Sequence, residues 1–444
     1  MWRTNSKLFF LVLVISAFCY LFFGYVTKQD DFGLNFSVYS LVFFCFIGLY
    51  ILQERVSVRF LWISTLVLHG IFLFSIPTLS PDIYRFLWDG ELITKGIHPY
   101  AFTPNQLVAA GEIEMTPYLN QVYDNITELS KANYSLYPTL NQFYFLIPAW
   151  LTDNLLVAIV IMRVLMVATL FAGLYFIRKT LLLLGISEKQ LFLFALNPLV
   201  IIEATGNLHF EAVMFSFLAI ALYFIVQQKW LLGAILFACA VNIKLTPLLL
   251  LPFFLNYLGW IKSLKFYLVT IAFSAGILLM FLWPSVASNF MQSIELYFNN
   301  FEFNSSFNRL ISYLFQPIFT FETPLIIGPF LSRMALVIIV FLALFALSKK
   351  KETLFTFMLF GYVIYLLLAT TVHPWYVILP LGLSIYTLYR FVVYWSFMVM
   401  ISYSFYALGN DLLVNTLIAL EYIGLFSWLF FEMKQKKRSA KDLF

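Results

Sequence analysis

The chain has 444 residues, of which 62% are hydrophobic, 20% aromatic and only 11% charged. A water-soluble domain carries roughly 25% charged residues, so this chain cannot coat a solvated surface, and its net charge of +5 is informative only through its distribution. Soluble and nucleic-acid-binding classes are excluded, and Cys19, Cys45 and Cys239, each inside an apolar run, argue against a disulfide framework or a zinc site.

Apolar runs near 20 residues recur along the chain, and at about 1.5 Å per residue such a run crosses the hydrocarbon core of a bilayer. They predict an all-α fold, a polytopic transmembrane helical bundle that occupies residues 1–444 as a single multi-span domain. Spans are expected at about residues 8–26, 36–53, 59–78, 154–177, 190–204, 209–227, 231–243, 245–258, 265–283, 325–347, 353–370, 376–389, 391–407 and 412–432, about 14 in all. The first, Leu8 to Val26, is too long for a signal-peptide core and reads as a retained span. The runs flanking Lys244 and Arg390 are short, as bent or partial spans are.

Lysine and arginine in the short loops set the orientation. Arg3, Lys7, Arg55, Arg59, Arg178, Lys179, Lys189, Lys229, Lys262, Lys265, Lys349, Lys350, Lys351, Arg390 and the basic tail 433–444 fall on one side, read as cytoplasmic. Asp30, Asp31, the acid-rich segment 79–137, Glu295, Glu302, Glu322 and Asp411 fall on the other. Two outer segments are long, 79–153 and 284–324. Within the first, Leu136–Trp150 is interrupted by Pro138, Asn141, Gln142 and Pro148. A crossing there would invert every later loop, so a helix lying in or re-entering the outer leaflet is expected. The tail is read as an anchor for anionic headgroups.

The first long loop opens on Ser80-Pro-Asp-Ile-Tyr-Arg-Phe-Leu-Trp-Asp-Gly90 and closes its first element at Gly96-Ile-His-Pro-Tyr100. Ser80 suits an N-cap, Pro81 the first helical position, and Gly96 with Pro99 a stop. An amphipathic helix over 81–95 follows, with Ile83, Phe86 and Leu87 on its apolar face and Asp82, Arg85 and Asp89 on one polar stripe. It is expected to lie at the membrane interface. A plain solvated face, with Arg85 paired to Asp89, is one reading. The other is a carboxylate that orients and deprotonates a hydroxyl, or a metal-binding pair. The helix dipole favours the charged form of Asp82 and so lowers its expected pKa.

Further along, Glu203-Ala-Thr-Gly-Asn-Leu-His209-Phe-Glu211 joins two spans, Lys244 precedes Thr246-Pro247, Phe303 to Arg309 lies in the second long loop, and His373-Pro-Trp375-Tyr376 opens a span. Arg163 and Arg333 sit deeper. An ionisable group in a membrane costs several kcal/mol unless paired or wetted, so each is a functional suspect. Plain alternatives are a Lys244 snorkelling to headgroups, an aromatic belt at His373–Tyr376, and Arg163 or Arg333 paired with an acid on a neighbouring span. His69, within an apolar span, reads as a packed core histidine. Four histidines without ligand spacing disfavour a dedicated zinc site, and no phosphate-binding glycine fingerprint is present.

Taken in order, these motifs resemble those of GT-C type glycosyltransferases, most closely the bacterial polyprenol-phosphate-mannose-dependent mannosyltransferases and their GPI-mannosyltransferase-like relatives. Ser80–Gly90 with Gly96–Tyr100 is similar to the first-loop signature. Tyr137–Gln142 is similar to the outer-leaflet segment, and Gly206–Glu211, Asn242–Pro247 and His373–Tyr376 to later motifs. The likeness covers about residues 80–380. It implies a hexosyltransferase, with mannose resting on the resemblance alone, that uses a polyprenyl-phosphate-linked sugar donor and a glycan or glycolipid acceptor by inverting displacement. It also implies a multi-pass protein of the bacterial cytoplasmic membrane, surrounded by membrane lipids, with its site on the outer face and no nucleic acid. The catalytic aspartate maps onto Asp82, with Asp89 as the alternative. Substrate contacts are expected from Arg85, Tyr100, Gln142, His209, Glu211, Lys244, Arg309, His373 and Trp375. The first loop lacks a tight Asp-X-Asp pair, so no cofactor is assigned and a divalent metal stays open. Where many relatives carry an Asn-Asp pair, this chain has His209-Phe-Glu211. An O-antigen ligase or polymerase, whose large loop comes late, and a secondary transporter or flippase, which would show related halves, are the competing classes.

Overall fold

A computed structural model describes residues 2–299, 302–315, 323–345, 351–409 and 411–441. Glu322, Lys349 and Lys350, used above to read orientation, lie outside the described residues, as do parts of the second outer loop (300–301 and 316–322) and the last three residues of the tail. Among the described residues the chain is helical, with one isolated parallel bridge between Phe303 and Thr371.

Among the described residues six helices are long and apolar enough to cross a membrane, at Ser6–Tyr25, Phe32–Arg55, Leu155–Leu183, Trp260–Leu278, Ile327–Phe345 and Leu412–Gln435. A broken pair, Val200–Gly206 and Glu211–Val226, bends by 108° and counts as a seventh if taken together. The protein is thus an integral, multi-pass, all-α membrane bundle. Of the about fourteen expected spans, Val58–Gly70 and Thr353–Leu368 are shorter than expected, and Trp230–Ile243, Thr246–Leu258, Pro374–Ser384 and Phe391–Ala407 are apolar but short, as bent or partial spans are. Helices flank Lys244 and Arg390 on both sides, and these are among the short ones. A continuous apolar cluster runs from Phe9 to Leu425 and ties these pieces together.

The breaks have identifiable causes. Val200–Gly206 is wound as a π-helix, and Leu208 then takes a left-handed backbone at φ 62°, a conformation a branched side chain rarely adopts. The broken end leaves carbonyls without helical partners. Arg163 supplies them: its guanidinium donates to Thr205 O at 2.7 Å, Leu73 O at 2.8 Å and Gly206 O at 3.1 Å. No acid is needed to explain this buried arginine. Arg333, by contrast, is exposed. His69 is a buried brace, as expected, bonding Thr205 Oγ1 at 2.6 Å and Ala195 O at 3.2 Å.

The first long loop folds onto the bundle. Its opening helix spans Asp82–Thr94 and ends at Gly96, which has φ +73°. Ser80 Oγ accepts from the Asp82 N–H at 3.3 Å. Of the two readings of its polar stripe, the plain solvated face is corrected, because Ile83 and every residue from Arg85 to Leu92 are buried. Its partner is the Thr139–Leu151 helix, approached so closely at Gly90 that a Cβ would stand 2.2 Å from Phe145 O. Phe86 stacks on Phe145 at 4.7 Å and meets Tyr137 and Phe210 edge-on at 4.8 and 5.4 Å. These aromatic contacts, each worth about 0.5–1.5 kcal/mol beyond area burial, bind the first loop to the turn that carries His209.

Several loops expected on the cytoplasmic side meet at one place. Lys189 bonds Gln53 O and Glu54 at 3.0 Å, and Arg178 pairs with Glu188.

Candidate active site

A cavity of about 440 Å³ opens among the ends of these broken elements, within the usual size of small-molecule sites. Its walls include Ser80–Asp82 and Arg85, segment 133–138, His209–Glu211, Ile243–Thr246, and His373 with Trp375 and Tyr376. Five separate stretches, apart by more than 290 positions at the extremes, therefore converge.

Asp82 stands at one wall. The backbone just before it is pinned twice: Gln29 Nε2 donates to Leu79 O at 2.8 Å, and Leu79 N donates to Asn207 Oδ1 at 3.2 Å. Its carboxylate lies 3.8 Å from His209 Nε2. Burial pushes the Asp82 carboxyl up from its ordinary 3.8, and Glu211 adds to the rise, while His209, Lys244 and the bond with Ser80 oppose it. The side chain keeps 39% exposure to the cavity, and the shift runs opposite to the one expected from the helix dipole.

Behind His209, Glu203 accepts from its Nδ1 at 2.9 Å. The imidazole stacks on Trp375 with ring centres 3.6 Å apart, and His373 stacks on the same indole at 4.4 Å. Burial, Lys244 and His209 all lower the His373 pKa well below its usual value. Lys244 pairs with Glu211 and lies over the Tyr376 ring at 4.1 Å. Asn141 donates to Ile243 O at 2.7 Å and so holds the helix end from which Lys244 projects. The snorkelling alternative for Lys244 fails: its ammonium faces the cavity and a carboxylate.

Asp82, Arg85, His209, Glu211, Lys244, His373 and Trp375 are thus brought together. Four other expected site residues are not among the cavity walls. Asp89 is fully buried, bonded to Arg85 at 2.8 Å and to Ser135. Arg85 also donates to Ser130 O and Asn133 O, at 2.7 and 2.9 Å, so this pair fastens the loop beside the cavity. Gln142 donates to Ser135 Oγ and Tyr137 O, both at 3.3 Å, in support of the same loop. Tyr100 donates its hydroxyl to Tyr137 O at 2.6 Å and packs on Phe290. Together with Asn289, which donates to Tyr100 O, it clasps the two long loops. Arg309 donates to Asn415 Oδ1 at 2.6 Å and lies 3.8 Å from Glu302.

Sequence reasoning passed over Asn207, Asn141 and Tyr403. Asn207 sat inside a recognised motif. Tyr403, which donates to Glu203 at 3.0 Å from 200 positions away, carries no local signal. Among the described residues no three His, Cys, Asp or Glu side chains gather as metal ligands would, so no step below is routed through a metal.

Chemically, the cavity offers a carboxylate with a raised pKa, a cation, and aromatic faces of the kind on which sugar rings pack. Residues 35–261, just over half of the chain, match the model of the MptA_B family, described as alpha-(1->6)-mannopyranosyltransferase, N-terminal domain. The chain is similar to alpha-(1->6)-mannopyranosyltransferase A of Mycobacterium tuberculosis, 24% identical over 210 residues, which is 46% of this chain and 36% of that protein. It is also similar to the enzyme of the same name from Corynebacterium glutamicum, 25% identical over 182 residues, 41% of this chain and 35% of that protein. The matched region spans about a third of either relative's length. The cavity residues from Leu79 to Thr246 fall within the family match, and on that extent the chain belongs to the MptA_B family of alpha-(1->6)-mannopyranosyltransferases.

Proposed function

We propose that this chain is a mannosyltransferase. It moves a mannosyl unit from a polyprenyl-phosphate donor to a glycan or glycolipid acceptor at the outer face of the bacterial cytoplasmic membrane. The observation that carries the reading is the placement of Asp82 and Lys244 on one cavity in a chain of this family. The family also favours transfer over the ligase, polymerase and transporter classes.

In this reaction an acceptor hydroxyl oxygen forms a bond to the sugar C1 while the bond from C1 to the phosphate oxygen breaks. The hydroxyl proton goes to Asp82, and the polyprenyl phosphate leaves with the electron pair of the broken bond. Attack from the face opposite the phosphate inverts C1. A raised carboxylate pKa makes Asp82 a better proton acceptor than an aspartate at its ordinary pKa. Lys244 meets the negative charge that grows on the phosphate. Glu211 holds the ammonium in place, and Trp375 and Tyr376 offer faces to the sugar. A lipid-linked donor suits a site formed where bundle helices break, since its tail stays in the bilayer while its head enters the cavity.

The test is a membrane assay with radiolabelled polyprenyl-phosphate mannose. Asp82→Asn is expected to abolish transfer while the protein still inserts and expresses. Full activity in that variant removes Asp82 as the base. Transfer seen only with a sugar nucleotide, after donor-lipid synthesis is blocked, sinks the donor assignment.

A further inference from the structure

The Glu203–His209 pair is built more firmly than a sugar contact requires. Glu203 is fully buried in the π-helical turn, and its carboxylate accepts from His209 Nδ1 at 2.9 Å, Asn207 Nδ2 at 3.3 Å and the Tyr403 hydroxyl at 3.0 Å. Its carbonyl accepts from the His209 N–H at 2.9 Å. With Nδ1 donating to a carboxylate, the neutral ring carries its lone pair on Nε2. That Nε2 has no hydrogen-bond partner among the described residues and faces Asp82 Oδ2 at 3.8 Å.

The separation is just beyond a hydrogen bond. Once Asp82 holds a proton it becomes a donor, and Nε2 is the acceptor in front of it. The groups facing the imidazole are Glu203 on the π-turn, Asp82 on the Asp82–Thr94 helix, His373 across Trp375, and the Lys244–Glu211 pair on the far wall. His209, on the Trp375 stack, has the Glu203 carboxylate behind it. An imidazolium there is met by Glu203 on one side and an indole face at 3.6 Å on the other.

We propose that His209, held by Glu203, takes the acceptor's proton on from Asp82 and returns the aspartate to its ionised form within each turnover. The inference rests on the transferase reading above. The proton passes from the acceptor hydroxyl to Asp82 Oδ2 as C1 changes partners, then to His209 Nε2, and leaves to water with the product. No further reactant is consumed. Glu203 is a positioning residue: it fixes the tautomer and offsets the charge of the imidazolium.

The experiment uses the full-length protein in lipid vesicles with synthetic polyprenyl-phosphate mannose. Glu203→Gln keeps an oxygen for Nδ1 but removes the charge, so kcat is expected to fall roughly 10²-fold while KM for the donor stays within about twofold. His209→Ala is expected to lose a similar factor and to recover part of it with added imidazole, which a purely structural role would not allow. An unchanged kcat in Glu203→Gln, a loss confined to KM, or no response of His209→Ala to imidazole overturns the relay. Nitrogen NMR of histidine-labelled wild-type protein reads the pair without any activity. Nδ1–H with a bare Nε2 is expected at His209, perturbed in Glu203→Gln, and the opposite tautomer overturns the inference. If the wild type does not use the lipid donor, the transferase reading fails, and the NMR result alone decides the pair.

Discussion

Each ionisable residue at the site is defined by the neighbour that compensates it. Lys244 and Glu211 form an ion pair whose carboxylate is nearly shut off from solvent, at 4% exposure, while the ammonium keeps 29%. Removing the cation leaves a buried charge, a loss of about 3–5 kcal/mol in such sites. Lys244→Met is therefore expected to lower the thermal midpoint and to cut turnover with the lipid donor by roughly 10²-fold or more. The double variant Lys244→Met with Glu211→Gln is expected to recover the midpoint and not the turnover; thermal melts and the transfer assay on both variants separate the two effects. On the proposed mechanism, Asp82 sets the pH dependence. It accepts a proton only when ionised, and its folded pKa is raised. Hence kcat/KM is expected to fall as pH drops through a value above the ordinary 3.8, which a pH–rate profile measures. The same raised pKa means the folded state holds this proton more tightly than the unfolded chain, so Asp82 detracts from stability once pH rises past it.

At the level of elements, the Asp82–Thr94 helix does two jobs at opposite ends. Its first residue faces the cavity, and its centre is locked against the Thr139–Leu151 helix at Gly90. Because the contact there is backbone against backbone, Gly90→Ala cannot be absorbed by a side-chain rotation. It is expected to destabilise by about 1–3 kcal/mol and to lower turnover by displacing Asp82, read by melting and transfer assay in parallel. Sequence periodicity marked this helix and its boundaries well, since capping and glycine signals are local. It misjudged the surroundings. The stripe of Asp82, Arg85 and Asp89 looks solvent-facing in one dimension, yet Arg85 and Asp89 are matched inside by Ser130, Asn133 and Ser135 from the following segment. The irregular winding of Val200–Gly206 was equally hidden, because an apolar run reads as a regular span. The join at 204–209 was legible, but the π winding before it and the capping of its carbonyls by Arg163 from another helix were not.

For the whole molecule, the arrangement predicts sidedness. In a cysteine-free background, a cysteine at exposed Glu112 in the first long loop is expected to react with a membrane-impermeant thiol reagent on intact cells. One at Glu54, beside Lys189, is expected to react only after permeabilisation; the reverse pattern inverts the topology. The sequence by itself determined the solvent, the helical class and which polar motifs share a side. Those depend on how each short stretch partitions between water and lipid, and on the charge of each short loop, both local properties. Tertiary structure alone decided which polar residues meet: Asp82 with His209, Glu203 with Tyr403, Asn141 with the helix end before Lys244. It also separated Asp82 from Asp89, two acids that local chemistry treats alike. One lies against a cavity and the other against an arginine, and that difference comes from packing between segments far apart in the chain, which no local pattern records.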